Sequence, residues 1–105
     1  MELKISTHAY KRGKERIGLP KRSIPRQFEL ALTKGISQND AKGRVKKYLD
    51  GVATHVDVPH HVCIWNNHVF IYSVQTTLED RIATLITVLP LPANIARLVN
   101  YKERR

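Results

Sequence analysis

Two runs of β-branched and aromatic residues, Val62–Trp65 and Val69–Val74, are separated by Asn66-Asn67. Asparagine tolerates the left-handed backbone that a two-residue hairpin turn demands, so residues 62–74 read as a β-hairpin. A third run, Thr84–Leu89, is expected to pair with it, and Pro90 and Pro92 end the pairing because proline has no N–H for the ladder. These three segments make the second half of the chain a small antiparallel sheet.

The half before Gly51 carries helical signals instead. Leu3–Ile5 reads as a short strand, after which Ser6 or Thr7 can cap a helix that runs to about Ile17 and stops at Gly18. A second helix is expected over roughly Pro20–Lys34, with Ile24, Phe28, Ala31 and Leu32 at helical spacing and Gly35 at its end. Pro25 leaves two readings, a kink or a late start with Ser23 as cap and Ile24-Pro25 in the first turn. Ser37 is expected to cap a third helix with Asp40 in its first turn, and its inward stripe is Ala41, Val45, Leu49 and Val52. Ala93–Tyr101 reads as a short C-terminal helix with Ile95, Leu98 and Val99 inward. The expected fold is therefore α+β, with three N-terminal helices packed on one face of a hairpin plus third strand. Phe28, Leu32, Val45, Leu49, Ile64, Ile71, Leu85 and Val88 are the expected core. The chain reads as one domain.

Charge narrows the partners. The formal net charge is +9, and its distribution is uneven: 13 basic and 5 acidic residues precede Gly51, against 5 and 4 after it. A surplus of this size attracts polyanions, and nucleic acid is the expected partner. No stretch approaches the length of a membrane span and Met1-Glu2-Leu3-Lys4 begins no signal peptide, so a cytoplasmic protein without membrane contact is expected. The lone Cys63 sits in the apolar run Val62-Cys63-Ile64-Trp65 and reads as a buried thiol rather than a nucleophile.

His8, Arg12 and Arg16 recur every fourth residue, and each such step drifts by only about 40° around a helix, so they project as one row. Guanidinium groups hold phosphate oxygens with paired donors, and histidine exchanges a proton near neutral pH. Metal-free RNA cleavage by the ribose 2′-hydroxyl needs a base, an acid and cations for the developing charge, and this row can supply much of that set. The same spacing also describes a solvated basic face. Lys11 and Lys14 on this helix, with Lys42, Arg44, Lys46 and Lys47 on the third, are candidate phosphate contacts. His55, Asp57, His60 and His61 have metal-binding side chains, but consecutive histidines in an extended segment point to opposite faces and no cysteine lies nearby, so no metal and no cofactor is expected. Tyr72, Thr84 and Thr87 are sheet residues able to donate hydrogen bonds, and Trp65 beside the turn could stack on a base or pack in the core.

The ordered features Ile5-Ser6-Thr7-His8-Ala9, Arg12, Arg16-Ile17-Gly18-Leu19, Gly35-Ile36, Ala41-Lys42-Gly43-Arg44, the hairpin and Leu85-Ile86-Thr87-Val88 resemble a group of small proteins common in phages of Gram-positive bacteria. That group in turn resembles the barnase, EndoU, colicin and RelE-type ribonuclease fold, in which helices precede a small antiparallel sheet. The resemblance implies metal-independent RNA cleavage by a phage or toxin-type protein in a bacterial host. His8 would match the helix histidine, Arg12 and Arg16 the basic positions, and Thr87 the hydroxyl residue of the last strand. Two alternatives stand beside it: a phage protein that binds nucleic acid, RNA before DNA, without catalysis, and an inhibitor of a host defence or regulatory protein with an acidic surface. The oligomeric state is left open by the sequence.

Overall fold

The computed structural model describes residues 1–53 and 60–103, with side chains described as far as residue 99. Asn66 and Asn67 take φ values of 51° and 62°, the pair of left-handed residues that a tight hairpin turn requires. They join β3 (His61–Trp65) to β4 (His68–Thr76), with Val62 opposite Ile71 and Trp65 opposite His68. β5 (Arg81–Pro90) runs antiparallel to β4, so the three expected strands share one sheet. Its ladder breaks once: Ile71 faces Thr87 while Tyr72 faces Leu85, which leaves Ile86 as an extra residue in a β-bulge.

Two edge strands complete the order β1-β5-β4-β3-β2. β1 (Glu2–Ile5) pairs with β5 in parallel, so the sheet is mixed rather than wholly antiparallel. β2 (Ile36–Ser37) pairs with β3 and was not expected, because two residues carry no periodicity.

The first helix, α1 (Thr7–Ile17), has the expected boundaries. Ser6 Oγ accepts from the Ala9 N–H at 3.0 Å, and Gly18 turns left-handed at φ 65° while the Leu19 N–H closes on the Gly13 carbonyl. The second, α2 (Ile24–Lys34), starts late with Pro25 in its first turn, after a 3₁₀ turn over Lys21–Ser23. Ser23 does not cap it by its side chain; the hydroxyl donates to the Pro20 carbonyl at 2.8 Å. At the other end of α2, a Cβ on Gly35 would lie 2.4 Å from the Ala31 oxygen and 2.6 Å from that of Ile64, so only glycine fits between helix and strand. The third helix, α3 (Gly43–Ala53), begins six residues after the expected cap. Ser37 is held in the ladder opposite Cys63, and its carbonyl and hydroxyl close a single turn onto Asp40 instead. The last helix, α4, spans Ala93–Glu103.

Side chains alternate across a strand, and the two sets build separate cores. Cys63, Phe70, Leu85 and Val88 are buried with Ala9, Ile24, Phe28 and Ala31, from α1 and α2. Val62, Ile64, Val69 and Ile71 are buried with Val45 and Leu49 of α3 and Ile95 and Val99 of α4. The α+β class, the three N-terminal helices against the sheet and the C-terminal helix stand as expected. The helical cover is shared out, with α1 and α2 on the face of Phe70 and α3 beside α4 on the face of Ile71. Of the expected core, Leu32 alone is only half-buried.

Candidate nucleic-acid interface

The row on α1 forms as spaced. Arg12 Nε donates to His8 Nε2 at 3.4 Å, and Arg12 Nη1 pairs with Glu15 Oε2 at 3.2 Å. Arg16 Nη1 donates to Thr87 Oγ1 at 3.4 Å, joining the helix to the last strand. The start of α1 is fixed to the same part of β5: the Ser6 N–H donates to the Leu85 carbonyl at 3.1 Å, and Ser6 Oγ to that of Ile86, also at 3.1 Å. The bulge explains how Thr87 becomes available. Regular alternation would bury Thr87 beside Leu85, but the extra residue hands the core position to Val88 and leaves Thr87 half-buried within reach of Arg16.

Chemically the row is an open cation surface. His8 and Arg16 are exposed and Arg12 is half-exposed. The imidazole nitrogen that a general base would use is the acceptor for Arg12, so proton abstraction there first requires that contact to open. Glu15 holds Arg12 through an exposed i,i+3 pair, which contributes about 0–1 kcal/mol and yields readily to a phosphate.

The other sequence-derived cations fall into two groups. Lys11 and Lys14 are exposed on α1, while Lys42, Arg44, Lys46 and Lys47 are exposed on or beside α3, on the opposite side of the sheet. Lys46 is engaged by the Gln38 carbonyl at 3.3 Å and by Asp50 at 3.7 Å. His55 and Asp57 lie outside the described residues, among which no three His, Cys, Asp or Glu side chains gather as a metal site. Trp65 donates its Nε1–H to Gln27 Oε1 at 3.0 Å and packs half-buried against the α1 and α2 core, which uses it structurally.

A polar cleft of about 180 Å³ escapes sequence reasoning, because β2 creates it: Ser37, Gln38 and Asn39 meet His61, Val62 and Tyr72 there. Gln38 extends the ladder by accepting from the Val62 N–H at 3.3 Å while donating to Asp50 at 3.1 Å. His61 stacks on Tyr72 at 5.4 Å, and burial raises the Tyr72 phenol above its ordinary pKa.

Cys63 is buried in the core beneath α1 and α2, and that burial pushes its thiol up to about 12, the setting of a packed side chain rather than of an activated nucleophile. Iodoacetamide at pH 8 is expected to leave Cys63 unmodified in the native protein and to alkylate it fully in guanidinium, as read by mass spectrometry. Rapid native labelling would show that the core around β3 opens. Among the described residues no helix is long and apolar enough to cross a membrane. Comparison of the chain with protein-family models, curated proteins and solved structures finds no match.

Proposed function

We propose that the protein binds RNA in a bacterial host, through the phosphate-holding row of α1. The observation that carries this reading is the pair of guanidinium groups set in place by other side chains, Arg12 by His8 and Arg16 by Thr87. An arginine already oriented loses less freedom on meeting a phosphate, and its fork of donors matches two phosphate oxygens. Lys11 and Lys14 extend the positive surface along the same helix. The reading predicts tight, salt-sensitive binding of labelled single-stranded RNA by fluorescence anisotropy, with affinity falling steeply as salt rises. Binding that is weak in low salt would discard it in favour of a protein partner.

Metal-independent cleavage is the second reading, favoured by one juxtaposition: His8, two guanidinium groups and the Thr87 hydroxyl lie along one helix and the strand it contacts. Here His8 exchanges the proton once Arg12 has turned to the phosphate, and Arg16 stabilises the charge that develops on it. In this case RNA incubated with the protein acquires 2′,3′-cyclic phosphate ends, His8→Ala slows the reaction on the order of a hundredfold, and chelators leave it unchanged. Binding without such ends would leave the non-catalytic phage protein as the reading.

A further inference from the structure

The cations of α3 lie across the sheet from the α1 row, and their surroundings differ. Where α3 meets α4, Lys42, Gly43, Arg44, Val45 and Leu98 line an open cleft of about 290 Å³. Its floor is aliphatic, made by buried Val45 and half-buried Leu98. Gly43, at φ 61°, adds no side chain, and a Cβ there would meet nothing within 4 Å, so the cleft stays open between its two cations. Lys42 and Arg44 are exposed and make no ion pair among the described residues, in contrast to Lys46 on the next turn.

From this combination we infer that the cleft is a docking site for an acidic segment of a partner protein, one that sets a leucine-like side chain on Val45 and Leu98 and its carboxylates on Lys42 and Arg44. Three points select this occupant. The two cations, unpaired among the described residues, suit an anionic ligand, and charge complementarity fixes orientation as well as encounter rate. Among the described residues the floor is aliphatic, Val45 and Leu98, which suits a leucine-like side chain better than a nucleobase, whose single-strand affinity comes from aromatic stacking. A second copy of the chain, at +9, is repelled by the same charge that attracts an acidic protein.

The surface is independent of the α1 row, so either assignment can fail alone. The test uses the full chain and a short fluorescein-labelled peptide of glutamate and leucine, followed by anisotropy and by the methyl resonances of Val45 and Leu98. The peptide is expected to bind and to shift both sets of methyls. Replacing its leucines by glutamine should weaken it on the order of tenfold, since the aliphatic contact with Val45 and Leu98 is lost. Lys42→Glu with Arg44→Glu should weaken the original peptide on the order of tenfold or more, whereas Lys11→Glu with Lys14→Glu, an equal change in net charge on α1, should leave it nearly unaltered. Equal losses from the two double variants would reduce the effect to bulk charge and overturn the site. Unshifted methyls, or equal binding by the glutamine peptide, would overturn it without any protein variant. Oligouridylate that displaces the peptide and shifts Val45 and Leu98 would assign the cleft to nucleic acid instead.

Discussion

Arg12→Glu combined with Arg16→Glu is expected to lower affinity for single-stranded RNA on the order of a thousandfold in low salt. A hydrogen bond to a charged group contributes about 1.5–3 kcal/mol net, so two lost phosphate contacts remove roughly 4 kcal/mol, and each tenfold step in affinity is about 1.4 kcal/mol. The dependence on salt should weaken in parallel. Each phosphate neutralised on a single strand adds about 0.7 to the slope of log affinity against log salt, so the variant's slope should be shallower by about 1.4. Arg12→Lys with Arg16→Lys separates charge from geometry: the slope should survive while affinity falls, because an ammonium cannot present the two parallel donors that Thr87 and His8 hold in place. Folding is a weak confounder, because Arg16 loses one long hydrogen bond at the surface, and Arg12 one exposed ion pair and one long, exposed hydrogen bond to His8. Anisotropy titrations across a salt series, with circular dichroism on the same samples, make the measurement. Unchanged affinity and slope would remove α1 from the interface.

Local chemistry explains which parts of this structure could be read in the sequence. The Asn66-Asn67 turn and both ends of α1 were legible because each is decided within a few residues, by φ preference, a hydroxyl cap or a left-handed glycine. The start of α3 was not. Ser37 and Asp40 have the residue types of a helix cap, yet Ser37 is claimed by a ladder with Cys63, a partner 26 residues away that no local pattern announces. An amphipathic stripe likewise shows that α3 has an inward face without showing which side of the sheet receives it. Charge arithmetic therefore placed the positive surplus in the first half but hid its division between two surfaces, one on α1 and one beside Leu98 of α4.

The candidate site was half-legible for the same reason. The spacing of His8, Arg12 and Arg16 follows from helix geometry alone, and the three lie along α1 as a row. That Thr87 is free to meet Arg16 depends on the bulge at Ile86, since simple alternation from Leu85 would bury it and expose Val88. Glu15 as a competitor for Arg12 follows from the i,i+3 spacing alone, although a row counted in fours passes over it.

Phe28→Ala is expected to cost a large part of the stability. Phe28 is, with Phe70, one of the two largest fully buried side chains among the described residues and lies in the core shared by α1, α2 and the sheet, edge-on to Tyr72 at 5.6 Å. Removing a buried phenyl ring loses its transfer free energy and leaves a cavity that the backbone closes only in part, together about 3–5 kcal/mol. A domain of this size has about 5–15 kcal/mol in all, so the variant should sit near the edge of folding and melt far below the wild type. Phe28→Leu keeps most of the volume and should lose about 1–2 kcal/mol, a difference readable as separate midpoints in urea. Cys63 reports on the same core from β3, so native alkylation should become rapid in Phe28→Ala while remaining slow in Phe28→Leu. Equal midpoints for Phe28→Ala and the wild type would mean that α2 is not packed on the sheet through this ring, and the face that positions Arg16 against Thr87 would then lack its foundation.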